Sequence, residues 1–196
     1  MLKHIPNILT IIRFLMIPFI LSAILEGNYI LAFILLTISG ITDILDGWIA
    51  RKFNLITNFG KLVDPLADKA TQISILCTLC IKEIIPFWIL AIVFLKEVVM
   101  IAGASFLYGK ELVVSSRWWG KLATVLFYLA IVCSFVLKQF EPTIVADNTA
   151  FSGLLLYADM PLYYLALLAT LFSLLMYFKA FYQQGYLKKE NLKIQK

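Results

Sequence analysis

A chain of 196 residues that is 62% hydrophobic and only 15% charged is too apolar for an ordinary water-soluble domain. Its net charge of +5 does not argue for a nucleic-acid partner, because the basic residues fall at the ends of apolar runs, where anionic lipid headgroups account for them. Apolar runs recur along the whole length with short polar breaks between them. A separate soluble domain therefore has no room, and residues 1–196 read as one all-α integral membrane domain.

A helix that crosses about 30 Å of hydrocarbon needs about 20 mainly apolar residues. Six segments meet that length: 5–25, 29–51, 62–82, 86–107, 118–139 and 159–181. The first follows only Lys3 and His4 and lacks a small-residue cleavage site, so it is expected to be retained. Breaks are expected at Glu26-Gly27-Asn28, Phe53 to Gly60, Lys82-Glu83 before Pro86, Gly109-Lys110-Glu111, and from Glu141-Pro142 onward. The linker from Glu141 to Tyr157 is the only long one. Cys77, Cys80 and Cys133 all lie in apolar runs and are expected to pack as small hydrophobes, since no second pair or nearby histidine completes a metal or redox site. Trp88, Trp118, Trp119, Tyr163 and Tyr164 lie near helix ends, where amphipathic rings favour the membrane interface.

Basic residues set the orientation, because they stay on the cytoplasmic side of short loops. A cytoplasmic N-terminus and six spans place both termini inside. Lys3, Arg51, Lys52, Lys61, Lys110, Arg117, Lys121, Lys179, Lys188, Lys189, Lys193 and Lys196 then lie at the inner surface, and only Lys82 and Lys138 near the outer one. The acidic stretch from Asp43 to Lys69 is expected to face the cytoplasm.

That stretch carries the chemistry. Asp43 and Asp46 are three apart at the end of the second segment, and Asp64 and Asp68 four apart at the start of the third, so each pair shares one helical face. A carboxylate inside a membrane helix costs about 2.5–3.5 kcal/mol even on a lenient scale, so four need compensation. Each taken alone could be a snorkelling or capping residue; converging from two antiparallel neighbours, they favour a cation. Hard oxygen donors without thiolates or a nearby histidine point to two Mg²⁺ or Mn²⁺ ions, which suit an in-line displacement at phosphorus. An EF-hand is excluded because Asp46-Gly47 lacks the alternating ligands and closing glutamate. Gly47 and Ala50 lie four residues after Asp43 and Asp46 and leave room for a bulky ligand, Gly60 keeps the entry to the third segment open, and Arg51 offers a donor fork for phosphate.

Read together, Asp43-x-x-Asp46-Gly47-x-x-Ala50-Arg51, eight residues, then Gly60-x-x-x-Asp64-x-x-x-Asp68, is similar to the complete signature of the CDP-alcohol phosphotransferase family. The resemblance implies a six-helix homodimeric membrane enzyme that transfers a phosphatidyl group from CDP-diacylglycerol to an alcohol and releases CMP. It makes Asp43, Asp46, Asp64 and Asp68 the metal set, Asp68 the general base, and Asp46, Gly47, Ala50, Arg51 and Gly60 the CDP site.

The N-terminal Ile5-Pro6-Asn7-Ile8-Leu9-Thr10-Ile11-Ile12-Arg13, followed by Pro18, resembles bacterial phosphatidylglycerophosphate synthases, which implies sn-glycerol 3-phosphate as acceptor. Lys96, Arg117 and Lys121 are the candidate cations for its phosphate, although Lys96 also stands beside Glu97 and could simply pair with it. The fourth segment departs from that group, with Lys96-Glu97 in place of Arg-Glu and apolar Ala104 in place of a further arginine. The segments Thr42-Asp43-Ile44-Leu45-Asp46-Gly47 and Trp119-Gly120-Lys121 are also similar to cardiolipin synthases of the same family, whose acceptor is phosphatidylglycerol. From a different class, intramembrane acids also mark the paths of metal-ion transporters, but a transporter should place them near mid-membrane on several helices. Here they cluster at one end.

Overall fold

In hydrocarbon a backbone must satisfy its own N–H and C=O groups, and each predicted apolar run does so as an α-helix. The computed structural model describes residues 5–53, 58–106, 118–146 and 155–183. Its helices are α1 (Ile5–Leu25), α2 (Tyr29–Lys52), α3 (Asn58–Ile81), α4 (Phe87–Phe106), α5 (Trp118–Ala146) and α6 (Met160–Gln183). The described residues contain no strand. Among the described residues, three stretches, Tyr29–Ile49 in α2, Gly120–Val145 in α5 and Met160–Lys179 in α6, are each long and apolar enough to cross a membrane, and α1 adds a shorter apolar stretch, Leu9–Leu25. The chain is a helical membrane protein.

Two of the expected breaks have a common geometry. At the end of α1, Gly27 turns left-handed (φ 77°), its N–H donates to Ile24 O (3.1 Å), and Asn28 N–H donates to Ala23 O (2.9 Å). At the end of α3, Glu83 takes the same turn (φ 56°), with Glu83 N–H on Cys80 O (3.0 Å) and Ile84 N–H on Leu79 O (2.9 Å). Both are Schellman caps, in which a left-handed residue lets two N–H groups reach back to the helix's last carbonyls. The Lys82 ammonium, from the second of these turns, also donates to Leu25 O at the end of α1 (3.0 Å) and ties the two caps together.

Other boundaries differ from expectation. Helix α3 begins at Asn58, four residues before the expected 62. Helix α5 runs through Glu141 and Pro142 to Ala146, so the first residues of the expected linker are helical. A proline removes only one N–H from the ladder, and a Lys138–Glu141 ion pair (3.0 Å) spans the turn just before Pro142.

Helix α1 packs on α2 and α3, α2 on α5, α3 on α4, and α6 on α4 and α5. Where lipid is as apolar as leucine, helices associate through close packing, which small residues permit. Ala23 and Ala32 are fully buried on α1 and α2, as are Ala130 and Ala166 on α5 and α6, around a core that includes Ile20, Leu76, Leu79, Phe127 and Phe135. Large apolar side chains such as Leu15, Phe19, Leu168 and Leu175 point outward, as lipid contact requires. The three cysteines are free thiols, half-buried among the helices. Trp88 and Tyr164 are exposed and stack at 5.8 Å, and Trp118 is exposed, while Trp119 lies outside the described side chains. Tyr163 departs from the interfacial expectation: its ring is fully buried, because its hydroxyl finds Ser134 Oγ at 3.0 Å, and Ser134 in turn donates to buried Asp159 (2.5 Å). A tyrosine hydroxyl with an internal partner does not need the interface.

Candidate active site

Alternating chain direction brings the N-terminal parts of α1, α3 and α5 and the C-terminal parts of α2 and α4 to one end of the bundle. Arg13, Asp43, Asp68, Lys69, Lys96 and Lys121 line one cavity there, of about 580 Å³. Its walls therefore carry carboxylates and ammonium groups together. The rest is partly apolar, including Leu36, Ile44, Met100 and Val125.

The acidic side is organised by Arg13 of α1. Its Nη1 lies 2.7 Å from Asp43 Oδ1 and its Nη2 donates to Asp46 Oδ2 at 2.8 Å. Arg13 and Asp46 are each 2% exposed, whereas the Asp43 side chain is half-exposed. The fork thus joins two carboxylates of one α2 face from a helix thirty-three residues away in sequence. Among the described residues its Nε and Nη1 find no hydrogen-bond acceptor, so the contact with Asp43 is ionic and the contact with Asp46 is the directional one. On α3, Asp68 Oδ1 accepts a hydrogen bond from the Tyr128 hydroxyl of α5 at 3.0 Å.

The basic side is a cluster of three. Lys96 Nζ lies 2.6 Å and Lys69 Nζ 3.0 Å from the same oxygen, Glu97 Oε1. Lys96 and Glu97 are nearly fully buried. The pairing of Lys96 with Glu97 is therefore present, and Lys96 still lines the cavity. Lys121 of α5 is exposed and lines the same cavity.

Of the site residues expected from sequence, Asp43, Asp68, Lys96 and Lys121 meet at this cavity, and Asp46 is tied to it through Arg13. Gly47 is half-buried on α2. Ala50 and Arg51 belong to α2, and Gly60 and Asp64 to α3, but their side chains lie outside the described residues, as does Arg117 altogether. Sequence reasoning missed Arg13 as a partner of the aspartates, Lys69 and Tyr128. Arg13 had a signal, since a lone arginine inside an apolar helix needs an acid. Tyr128 had none.

The donor chemistry fits a hard divalent cation. Asp43 and Asp46 converge closely enough for one guanidinium to reach both, so this spot is built around positive charge. Among the described residues, no three of His, Cys, Asp and Glu gather closely enough to form a complete ion cage.

A family model described as CDP-alcohol phosphatidyltransferase matches residues 3–172. A CDP-diacylglycerol–glycerol-3-phosphate 3-phosphatidyltransferase of Mycoplasma genitalium is 33% identical over 154 residues, 79% of this chain and 64% of the relative. One of the same description from Aquifex aeolicus is 32% identical over 140 residues, 70% of this chain and 79% of the relative. A probable cardiolipin synthase (CMP-forming) of Drosophila melanogaster is 41% identical over 103 residues, 52% of this chain. The match spans 32% of that longer protein.

Proposed function

Because the chain belongs to the CDP-alcohol phosphatidyltransferase family, we propose that it transfers the phosphatidyl group of CDP-diacylglycerol to sn-glycerol 3-phosphate, giving phosphatidylglycerophosphate and CMP. The observation that carries this reading is the cavity itself. Carboxylates suited to a metal-bound pyrophosphate face lysines suited to a phosphorylated acceptor, and relatives carrying that description match most of the chain. In the cell the protein spans the cytoplasmic membrane six times with both termini and the cavity at the cytoplasmic face, as the distribution of lysine and arginine supports. It works among membrane lipids as a homodimer.

Asp43, Asp46, Asp64 and Asp68 would hold two divalent ions, Mg²⁺ or Mn²⁺. Such ions, when bound, neutralise the pyrophosphate of the donor and polarise its phosphorus. Gly47, Ala50 and Gly60 leave space for the nucleotide, and Arg51 meets a phosphate oxygen. Asp68 takes the proton from the acceptor hydroxyl, whose oxygen forms the new bond to the β-phosphorus while the bond to CMP breaks and CMP leaves with its electron pair. Tyr128 holds one oxygen of Asp68 so that the carboxylate keeps a fixed direction. Lys96, Arg117 and Lys121 receive the acceptor phosphate.

Purified protein given labelled CDP-diacylglycerol and competing acceptors is the test: lipid product and CMP are expected with glycerol 3-phosphate. Product with phosphatidylglycerol alone would overturn the acceptor assignment in favour of a cardiolipin synthase, the second reading that the Drosophila relative supports.

A further inference from the structure

Two ammonium groups on one carboxylate oxygen is an uneven arrangement. Among the described residues, one carboxylate, Glu97, faces the two ammonium groups of Lys69 and Lys96, in a place where an unpaired charge is costly. Glu97 does not line the main cavity, whereas both lysines do. The carboxylate thus stands behind the pair, inside the bundle between α3 and α4, and the two lysines stand in front of it.

We propose that Glu97 is a positioning residue that holds Lys69 and Lys96 as one paired cationic subsite, and that Lys69 is the specificity-determining member, favouring a phosphate monoester on the acceptor over a phosphodiester. This rests on the acceptor reading above. The charge balance carries it. Lys69, Lys96 and Lys121 against Glu97 make a surplus of two positive charges among these four groups. A phosphate monoester bears close to two negative charges at neutral pH and a phosphodiester only one. The monoester alone matches the surplus. A water-soluble acceptor also fits the position of Lys69, which is about one quarter exposed while Lys96 is almost wholly buried. Lys69 follows Asp68 directly in sequence, so the group that binds the acceptor phosphate and the carboxylate that takes its proton are carried by one turn of α3.

The experiment is steady-state kinetics of the purified full-length protein in lipid nanodiscs, with wild type, Lys69→Gln, Lys69→Arg and Glu97→Gln. Lys69→Gln is expected to raise KM for glycerol 3-phosphate about tenfold or more, with KM for CDP-diacylglycerol changed less than twofold, and Lys69→Arg to recover most of the loss. Glu97→Gln adds a positive charge, so charge alone would tighten acceptor binding. A positioning role predicts the opposite, a raised acceptor KM. In the wild-type protein, glycerol 3-phosphate is expected to shield Lys69 from an amine-acylating reagent more than it shields Lys52, a readout that does not depend on any variant folding. Unchanged acceptor KM in Lys69→Gln, or equal labelling of Lys69 with and without glycerol 3-phosphate, overturns the proposal while leaving the proposed reaction intact. Wild-type protein that turns over phosphatidylglycerol but not glycerol 3-phosphate overturns both.

Discussion

The residue on which the acidic side depends is Arg13, and removing it should show how. Asp46 loses a buried, hydrogen-bonded partner in Arg13→Gln, whereas half-exposed Asp43 is screened by solvent, so the cost falls mainly on the Arg13–Asp46 pair. We expect a loss of about 3 kcal/mol, seen as a clearly lowered melting temperature in detergent. Arg13→Lys keeps the charge but not the two-pronged reach, and should recover only part of it. Asp68 predicts a different signature. Asp68→Asn should fold normally yet lower CMP release by about 10² to 10⁴, the usual worth of a general base. Tyr128→Phe should lower kcat by roughly tenfold with little change in stability, because it removes one hydrogen bond to a charged group. Wild-type turnover in well-folded Asp68→Asn would exclude it as the base.

Among the elements, the two matched caps make a paired prediction. An added Cβ at Gly27 meets nothing within 4 Å, so Gly27→Ala tests the backbone alone, and it should destabilise by about 1 kcal/mol, the cost of a left-handed non-glycine residue. Glu83 already bears that cost, and Glu83→Gly should gain a comparable amount. Opposite shifts in thermal unfolding of the two variants would confirm that the turns, and not their side chains, govern these ends. Helix positions were legible from apolar run length, and these two breaks from Gly27 and from Lys82-Glu83 ahead of Pro86. The end of α5 was not. Glu141-Pro142 has the look of a stop, and only the ladder on either side lets the helix pass through it.

At the scale of the whole molecule, the division between what sequence shows and what it hides follows from distance along the chain. Asp43 and Asp46 share a face because they are three apart, which spacing reveals. Arg13 meets Asp46 across thirty-three residues and Tyr128 meets Asp68 across sixty, and only helix pairing decides those contacts. Lys69 closes the acidic stretch that begins at Asp43, yet its partner Glu97 belongs to another helix. If divalent ions complete the acidic side, EDTA should halt CMP release by the purified protein, and added Mg²⁺ should restore it; full activity after exhaustive chelation would remove the metal from the mechanism.

The mixed lining of the cavity has a consequence of its own. Lys121 of α5 is exposed, and so are the apolar Val125 one turn further along the same helix and Ile44 on α2. Such a chamber sorts what it holds by solubility. A molecule with acyl chains can slip sideways past the greasy wall into the bilayer, and a nucleotide can depart through the wet mouth. Two products of one reaction would then part company without any lid having to open, each drawn off by the phase that dissolves it.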